Sequence, residues 1–233
     1  MRDDIIKAFQ NSLHLEISNS QAEKFENLIS LIIETNKKIN LTAITEPDQI
    51  LFKHIIDSLL LFRALDLNKG SSVLDLGTGG GFPGLPLLIL RPDLQISFLD
   101  STLKKLNCVQ YFLDELDLSG KIIHARAEDY ATKNRNEFDY VVSRAVAPLN
   151  ILSELALPLV KIQGTFIAYK GPDAEKELID SKKAISLLGG KTVERASFDL
   201  TEIGQRNLII INKIKDSPTK YPRAYSKIKK SPL

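Results

Sequence analysis

A chain of 233 residues with 43% hydrophobic content can bury one substantial core and at most a small accessory domain, which argues against a chain disordered throughout. Its single cysteine, Cys108, rules out an internal disulfide and points to a reducing, cytoplasmic compartment, and the longest apolar run, Leu85 to Leu90, is broken by Pro86, leaving neither signal peptide nor membrane span. The net charge of +2 is unevenly spread: Lys213 to Leu233 holds seven bases against one acid, a local +6, so the other 212 residues carry −4.

In chain order, residues 1–65 read as a helical extension. Ile5, Ile6, Phe9 and Leu13 make one apolar face, Phe25, Leu28, Ile29 and Ile32 a second, and Leu51, Ile55, Leu59 and Phe62 a third. Asn40 to Ile44 is a turn-prone link between the last two. His54 reads as an ordinary helix residue, since Asp57 and Ser58 lie at i+3 and i+4 on its own face.

Residues 66–213 alternate strands with helices. Strands are expected at Ser72 to Asp75, Gln95 to Asp100, Lys121 to Ala125, Tyr140 to Ser143, Gly164 to Lys170, Lys191 to Phe198 and Arg206 to Lys213, with helices starting at Pro83, Leu103, Leu149 and Ala174. Such alternation predicts a doubly wound, mostly parallel sheet of seven strands. Only Asp199 to Gln205 separate the last two strands, too few for a parallel crossover, so the sheet ends in an antiparallel hairpin. That ending marks the methyltransferase version of this Rossmann-like fold.

The first strand leads into the most informative segment of the chain, Asp75-Leu76-Gly77-Thr78-Gly79-Gly80-Gly81-Phe82-Pro83-Gly84. Glycine-rich backbone after a strand lets a nucleotide-like ligand approach the main chain closely. The string Gly79 to Gly84 also fits G-x-G-x-x-G, but Asp75 aimed at this loop would repel a pyrophosphate and attract an ammonium or a sulfonium, which favours S-adenosyl-L-methionine over NAD. Asp100, about twenty residues further on at the tip of the second strand, is placed to accept both ribose hydroxyls. Asp75, Gly77, Gly79, Gly81, Phe82 and Asp100 are therefore candidate cofactor residues.

The later strand ends share the same edge of the sheet. Backbone groups of Ala127 and Glu128 are expected beside the adenine, Ser143-Arg144-Ala145 faces the point where the methyl group leaves, and Lys170 ends the fifth strand as a candidate RNA phosphate contact. Residues 214–233 form a basic tail with Tyr221 and Tyr225, suited to a polyanion; Lys220 and Arg223 are its candidate RNA contacts, expected to act apart from the cofactor pocket.

Taken together, Asn40-Leu41-Thr42-Ala43-Ile44, His54 with Asp57-Ser58-Leu59, the glycine loop, Leu99-Asp100-Ser101, Arg126-Ala127-Glu128, Ser143-Arg144-Ala145, Lys170-Gly171, Arg206-Asn207-Leu208 and Tyr221-Pro222-Arg223 closely resemble the bacterial 16S rRNA guanine-N7 methyltransferases, the glucose-inhibited division protein B family. The resemblance covers nearly the whole chain. It implies a class I S-adenosylmethionine-dependent enzyme that methylates N7 of a guanosine in the 530 loop of small-subunit rRNA, with that rRNA or the small ribosomal subunit as partner. It also implies that Gly77, Phe82, Ala127, Glu128 and Arg144 contact the cofactor, Arg144 lying close to the target base as well. The tail departs from the family's pattern, in which Tyr-Pro-Arg usually continues with Lys and Gly; here Ala224, Tyr225 and Ser226 follow.

Neutral guanine carries a lone pair and no proton at N7, so the implied reaction needs alignment, not a general base, and no metal is expected. Other chemistries lack their marks. Cys108 falls on the helix after the second strand, away from where a cytosine-C5 enzyme needs its nucleophile, and Ser-Arg-Ala replaces the Asn/Asp-Pro-Pro-aromatic string of exocyclic-amine enzymes. Tyr130 and Lys133 are three apart, whereas a short-chain dehydrogenase wants four, and a cofactor-free RNA-binding module has no need of Asp75 and Asp100 around a glycine loop. No long apolar face is left over, which suggests a monomer.

Overall fold

The computed structural model describes residues 1–144 and 146–233. The amino-terminal region is helical, as its apolar spacing requires. Helix α1 (Arg2–Ala8) runs into a π-helical turn (Phe9–Leu13), and α2 (Asn19–Asn36) starts at a capping box in which Ser18 and Gln21 satisfy each other's backbone N–H groups. A second helical run comprises α3 (Pro47–Ile50), a π-helical turn (Leu51–Ile56), α4 (Asp57–Leu59) and a 3-10 turn (Leu60–Arg63). Leu51, Ile55 and Leu59 are buried along it, with Phe62 packed beside them.

The rest alternates as β1 (Ser72–Leu76), α5 (Gly84–Leu90), β2 (Gln95–Asp100), α6 (Leu103–Glu115), β3 (Lys121–His124), α7 (Ala127–Lys133), β4 (Phe138–Arg144), α8 (Leu149–Ala156), β5 (Val160–Lys170), α9 (Ala174–Leu187), β6 (Gly190–Leu200), β7 (Gly204–Lys213) and α10 (Tyr225–Lys230). The strands form one seven-stranded sheet in the order β3-β2-β1-β4-β5-β7-β6. Pairing is parallel from β3 to β5 and antiparallel for β5 with β7 and β7 with β6, the expected terminal hairpin. Five strands run a little longer than the alternation suggests, while β2 has its expected bounds and β3 ends one residue early, and α5 begins one residue after Pro83, which caps it. Helices α7 and α10 are unexpected: α7 is only seven residues long, and α10 lies in the segment read as tail.

Period-two alternation sorts each strand between two cores. Val73, Phe98, Val142 and Ile167 face α1, α2, the 47–63 run, α5 and α6, whereas Leu74, Leu99, Val141 and Ile209 face α7 to α10. The amino-terminal helices thus complete one hydrophobic layer of the sheet. Among the described residues no helix is long and apolar enough to cross a membrane.

The order β2-β1-β4 places β1 beside β4, where the direction of winding reverses. Loops leaving these two strands diverge to opposite faces and open a crevice at the carboxyl edge, where open α/β sheets take their ligands.

Candidate active site

The crevice is an open cleft of about 450 Å³ that runs along the carboxyl ends of β3, β2, β1 and β4. The glycine loop forms its floor. Gly77 and Thr78 donate their N–H groups to the Leu99 carbonyl at 2.8 and 3.0 Å, and the Gly79 N–H donates to Asp100 Oδ2 at 3.0 Å, so the loop is tied to the end of β2. Gly79 has φ +57°, and a Cβ there would project into open space: the backbone leaves room for a ligand where any other side chain would stand. Asp100 Oδ1 also accepts the Thr102 N–H, at 2.8 Å. Each carboxylate oxygen retains a further lone pair, so Asp100 can still accept hydroxyl donors from the cleft it lines.

Asp75 sits elsewhere than expected. It is fully buried beneath the loop, where Oδ2 accepts the Thr78 hydroxyl at 2.6 Å and the Gly84 N–H at 2.8 Å, and it does not line the cleft. A strand's period decides this: Asp75 shares the face of Val73, under the start of α5, so it shapes the loop from below. Oδ1 has no hydrogen-bond partner among the described residues, and burial pushes the carboxyl up to about 7 against the opposing pull of the Thr78 and Gly84 bonds. Gly81 likewise turns inward, where a Cβ would collide with Leu85.

Gly77, Phe82, Ala127, Glu128 and Arg144 line the cleft together with Gly79 and Asp100. Ala127 and Glu128 open α7, so their backbone N–H groups have no carbonyl of their own helix to bond. The Glu128 side chain, 11% exposed, holds Arg126 Nε at 3.1 Å. Ala145 of the expected Ser-Arg-Ala exit lies outside the described residues; Ser143, two residues before it, donates to the Leu76 carbonyl at 2.7 Å and fixes the end of β4 to β1.

Arg144 is held from several sides. Its Nη1 donates to the Lys53 carbonyl at 3.0 Å and to Asp57 Oδ2 at 2.9 Å, its Nη2 meets His54 Nδ1 at 3.2 Å, and its guanidinium lies 5.3 Å from the centre of the Phe82 ring. Because arginine only donates, His54 Nδ1 accepts, and the ring hydrogen on Nε2 is given to Thr42 Oγ1 at 2.9 Å. Burial, reinforced by the Arg144 charge, lowers His54 to about 4, so the ring is neutral at pH 7. It stacks on Phe82 at 4.8 Å. His54, read from sequence as a plain helix residue, is thus part of the cleft wall.

A second cavity of about 620 Å³ adjoins the first and shares His54, Arg144 and Val146 with it; Tyr169, Lys170, Arg206 and Asn207 are among its other walls. The Asp57 carboxylate stands between two guanidinium groups here, taking Arg206 Nε on Oδ1 at 3.1 Å. Burial raises the Tyr169 hydroxyl well above its ordinary value, with the Asp57 charge adding to it, so it remains protonated.

The glycine loop, Asp100 and two adjoining cavities that meet at Arg144 belong to a chain whose sequence matches a known family. The family model described as rRNA small subunit methyltransferase G, GidB, matches residues 21–209. The chain belongs to this family. A ribosomal RNA small subunit methyltransferase G of Clostridium botulinum (strain Loch Maree / Type A3) is 42% identical over 99% of this chain and 98% of its own length. At the level of fold, the crystal structure described as that of a "putative methyltransferase" from Bacillus halodurans C-125 aligns with TM-score 0.54 at 14% identity, over 66% of this chain and 97% of its own. TYW2 of M. jannaschii, solved in complex with AdoMet, aligns with TM-score 0.51 at 14% identity, over 62% of this chain and 68% of its own.

Two of the residues assigned to RNA are engaged within the protein of this GidB-family chain. Lys170 Nζ is 2.8 Å from Glu177 and 2.6 Å from the Ala147 carbonyl, with its side chain 8% exposed. Arg223 clasps Glu154, which is fully buried, at 2.9 and 2.6 Å, and its own N–H donates to the same carboxylate. Lys213, counted among the bases of the tail, is buried as well and donates to the Leu157 carbonyl. Lys220 remains exposed, against the Tyr221 ring. The tail nevertheless reaches the cleft: Tyr225 is among its lining residues, whereas Lys220 and Arg223 are not. Among the described residues no group of three or more His, Cys, Asp or Glu is arranged to hold a metal ion.

Proposed function

We infer that this protein methylates N7 of a guanosine in the 530 loop of 16S rRNA, acting in the bacterial cytoplasm, with S-adenosyl-L-methionine as methyl donor. The observation that carries the reading is the position of Arg144 in the wall shared by the two cavities, in a chain that belongs to the GidB family. The donor site fits that cofactor. The space left open at Gly79 admits it, and Asp100 offers acceptors for ribose hydroxyls. Bound there, S-adenosylmethionine supplies an electrophilic methyl group on a sulfonium centre.

The residues of the chain have one task, which is alignment. Gly77 and Gly79 hold the donor side, with Ala127 and Glu128 at the far end of the cleft. The guanine enters by the second cavity. Arg144, fixed by Asp57, His54 and the Lys53 carbonyl, has its Nε–H free of protein partners among the described residues. Donated to guanine O6, such a group positions the base while leaving the N7 lone pair unoccupied. Proper alignment of reacting groups about 3 to 3.5 Å apart supplies much of the rate, and no side chain has to remove a proton. Neutral His54 adds no positive charge near the sulfonium.

The test is primer extension after chemical cleavage at N7-methylguanosine, on rRNA from cells with and without this gene. A stop within the 530 loop that disappears on deletion is expected. A stop that persists, or a lost stop elsewhere, overturns the assignment.

A further inference from the structure

We propose that the carboxyl-terminal helix α10 closes the adenine side of the cofactor cleft, with Tyr225 as the aromatic wall on which the purine stacks. The inference rests on the reading of the cofactor as S-adenosylmethionine. Asp100 at the tip of β2 takes the ribose, and the glycine loop lies on the β1 side of it, so the base extends the other way, towards β3. Tyr225 stands on that side. Its ring lies 4.9 Å from the guanidinium of Arg126, the residue between the end of β3 and α7, and both side chains line the cleft. Arg126 is itself held by Glu128 at 3.1 Å, so the pair rests on a buried carboxylate.

The helix carrying Tyr225 is anchored on both sides of it. Two residues earlier Arg223 clasps the buried Glu154, and three residues later Ile228 is fully buried in the core beneath α8. Upstream, Arg135 donates to the carbonyls of Ser217 and Tyr221. A tyrosine fixed in this way presents its ring at little entropic cost on binding, and the neighbouring walls Leu99, Ala125, Ala127 and Leu155 are apolar, as a flat purine requires. The segment that carries most of the chain's excess positive charge therefore also completes the cofactor site.

Full-length protein is titrated with S-adenosylhomocysteine, the unreactive product, by calorimetry and by intrinsic fluorescence. The chain has six tyrosines and no tryptophan, so tyrosine emission is read directly. We expect Tyr225→Ala to bind about fivefold or more weakly, since an aromatic ring stacked on a base contributes on the order of 1 kcal/mol or more. Tyr225→Phe should bind within about twofold of the parent while losing most of the ligand-induced emission change. Unchanged affinity in Tyr225→Ala, or an undiminished emission change in Tyr225→Phe, overturns the proposal. Should Tyr225→Ala not fold, the emission change in Tyr225→Phe decides alone. Failure of the parent protein itself to bind S-adenosylhomocysteine would instead remove the cofactor reading.

Discussion

Arg144 and Asp57, 87 residues apart in the chain, are joined by a 2.9 Å ion pair that aims a guanidinium at the wall between the two cavities. The same carboxylate holds Arg206 on its other oxygen, so one buried acid positions two bases. Asp57→Ala should destabilise the fold by about 3 to 5 kcal/mol, because two charges lose their partner in a poorly solvated place. Arg144→Ala should cost far more turnover than stability, and Arg144→Lys should not restore it, because one ammonium cannot reach the Lys53 carbonyl, Asp57 and His54 together. Urea unfolding and single-turnover methylation on the same preparations separate the two effects. A folded Arg144→Ala protein with full activity would remove this residue from the mechanism.

The pH dependence of stability should report Asp75. Its folded value, about 7, lies above the ordinary carboxyl value of 3.8, so the fold favours the protonated form. This group's contribution is fully present below about pH 4 and is lost as pH rises through about 7. His54 works the other way. Its value is lowered to about 4, so its contribution is present above about pH 6.5 and lost as pH falls towards 4. The parent protein therefore shows a muted profile. Asp75→Asn unmasks it: relative to the parent, the variant should gain stability steadily between about pH 4 and 7. A pH-independent difference in denaturation free energy between the two proteins would contradict the burial of an ionisable Asp75.

The parts of the site legible in the sequence are those written in contiguous residues. The glycine loop, Asp100 at the end of an apolar strand and the hairpin without room for a crossover all depend on local spacing, and each is found where the spacing puts it. Asp75 departs from expectation for one reason: a carboxylate next to a glycine loop says nothing about which side of the strand it leaves from, and the Val73 face lies under the start of α5, away from the cleft that Leu76 lines. Lys170 and Arg223 read as free bases because their partners, Glu177 and Glu154, lie on helices that only the packing of α8 and α9 brings near. Arg206 and Asp57 are 149 residues apart, and no local pattern links them. Tyr225 is legible as an aromatic among lysines, yet only the anchoring of α10 shows that it faces the cleft.

Gly79 and Asp100 should separate cofactor binding from folding. Gly79→Ala places a methyl group in open space at φ +57°, which costs the fold about 1 kcal/mol of backbone strain without a clash, but that methyl group stands in the cleft. Asp100→Ala removes the proposed ribose acceptor and frees the N–H groups of Gly79 and Thr102. Each substitution should weaken cofactor binding by about 1 to 3 kcal/mol in calorimetry while thermal unfolding remains cooperative. Unchanged affinity in both would empty the cleft of its assignment.

The exposed bases of the tail provide the last prediction, and the structure dictates which of them to change. Lys220, Lys227, Lys229 and Lys230 are exposed, whereas Arg223 neutralises the buried Glu154 and must be kept; Arg223→Ala should cost stability by about 3 to 5 kcal/mol and confuse any binding measurement. Replacing the four lysines by glutamine leaves Tyr221, Tyr225 and Ile228 in place, so the core and the cleft are untouched. If the four meet single-stranded rRNA, every phosphate they cease to neutralise should lower the log–log salt slope of RNA binding by about 0.7, with thermal stability and S-adenosylhomocysteine affinity unchanged. The slope is the informative quantity, because a tail that merely disturbed the base-binding cavity would weaken binding at every salt concentration alike. An unchanged slope would move the RNA surface away from α10, towards the rim of the second cavity around Lys53 and Arg206.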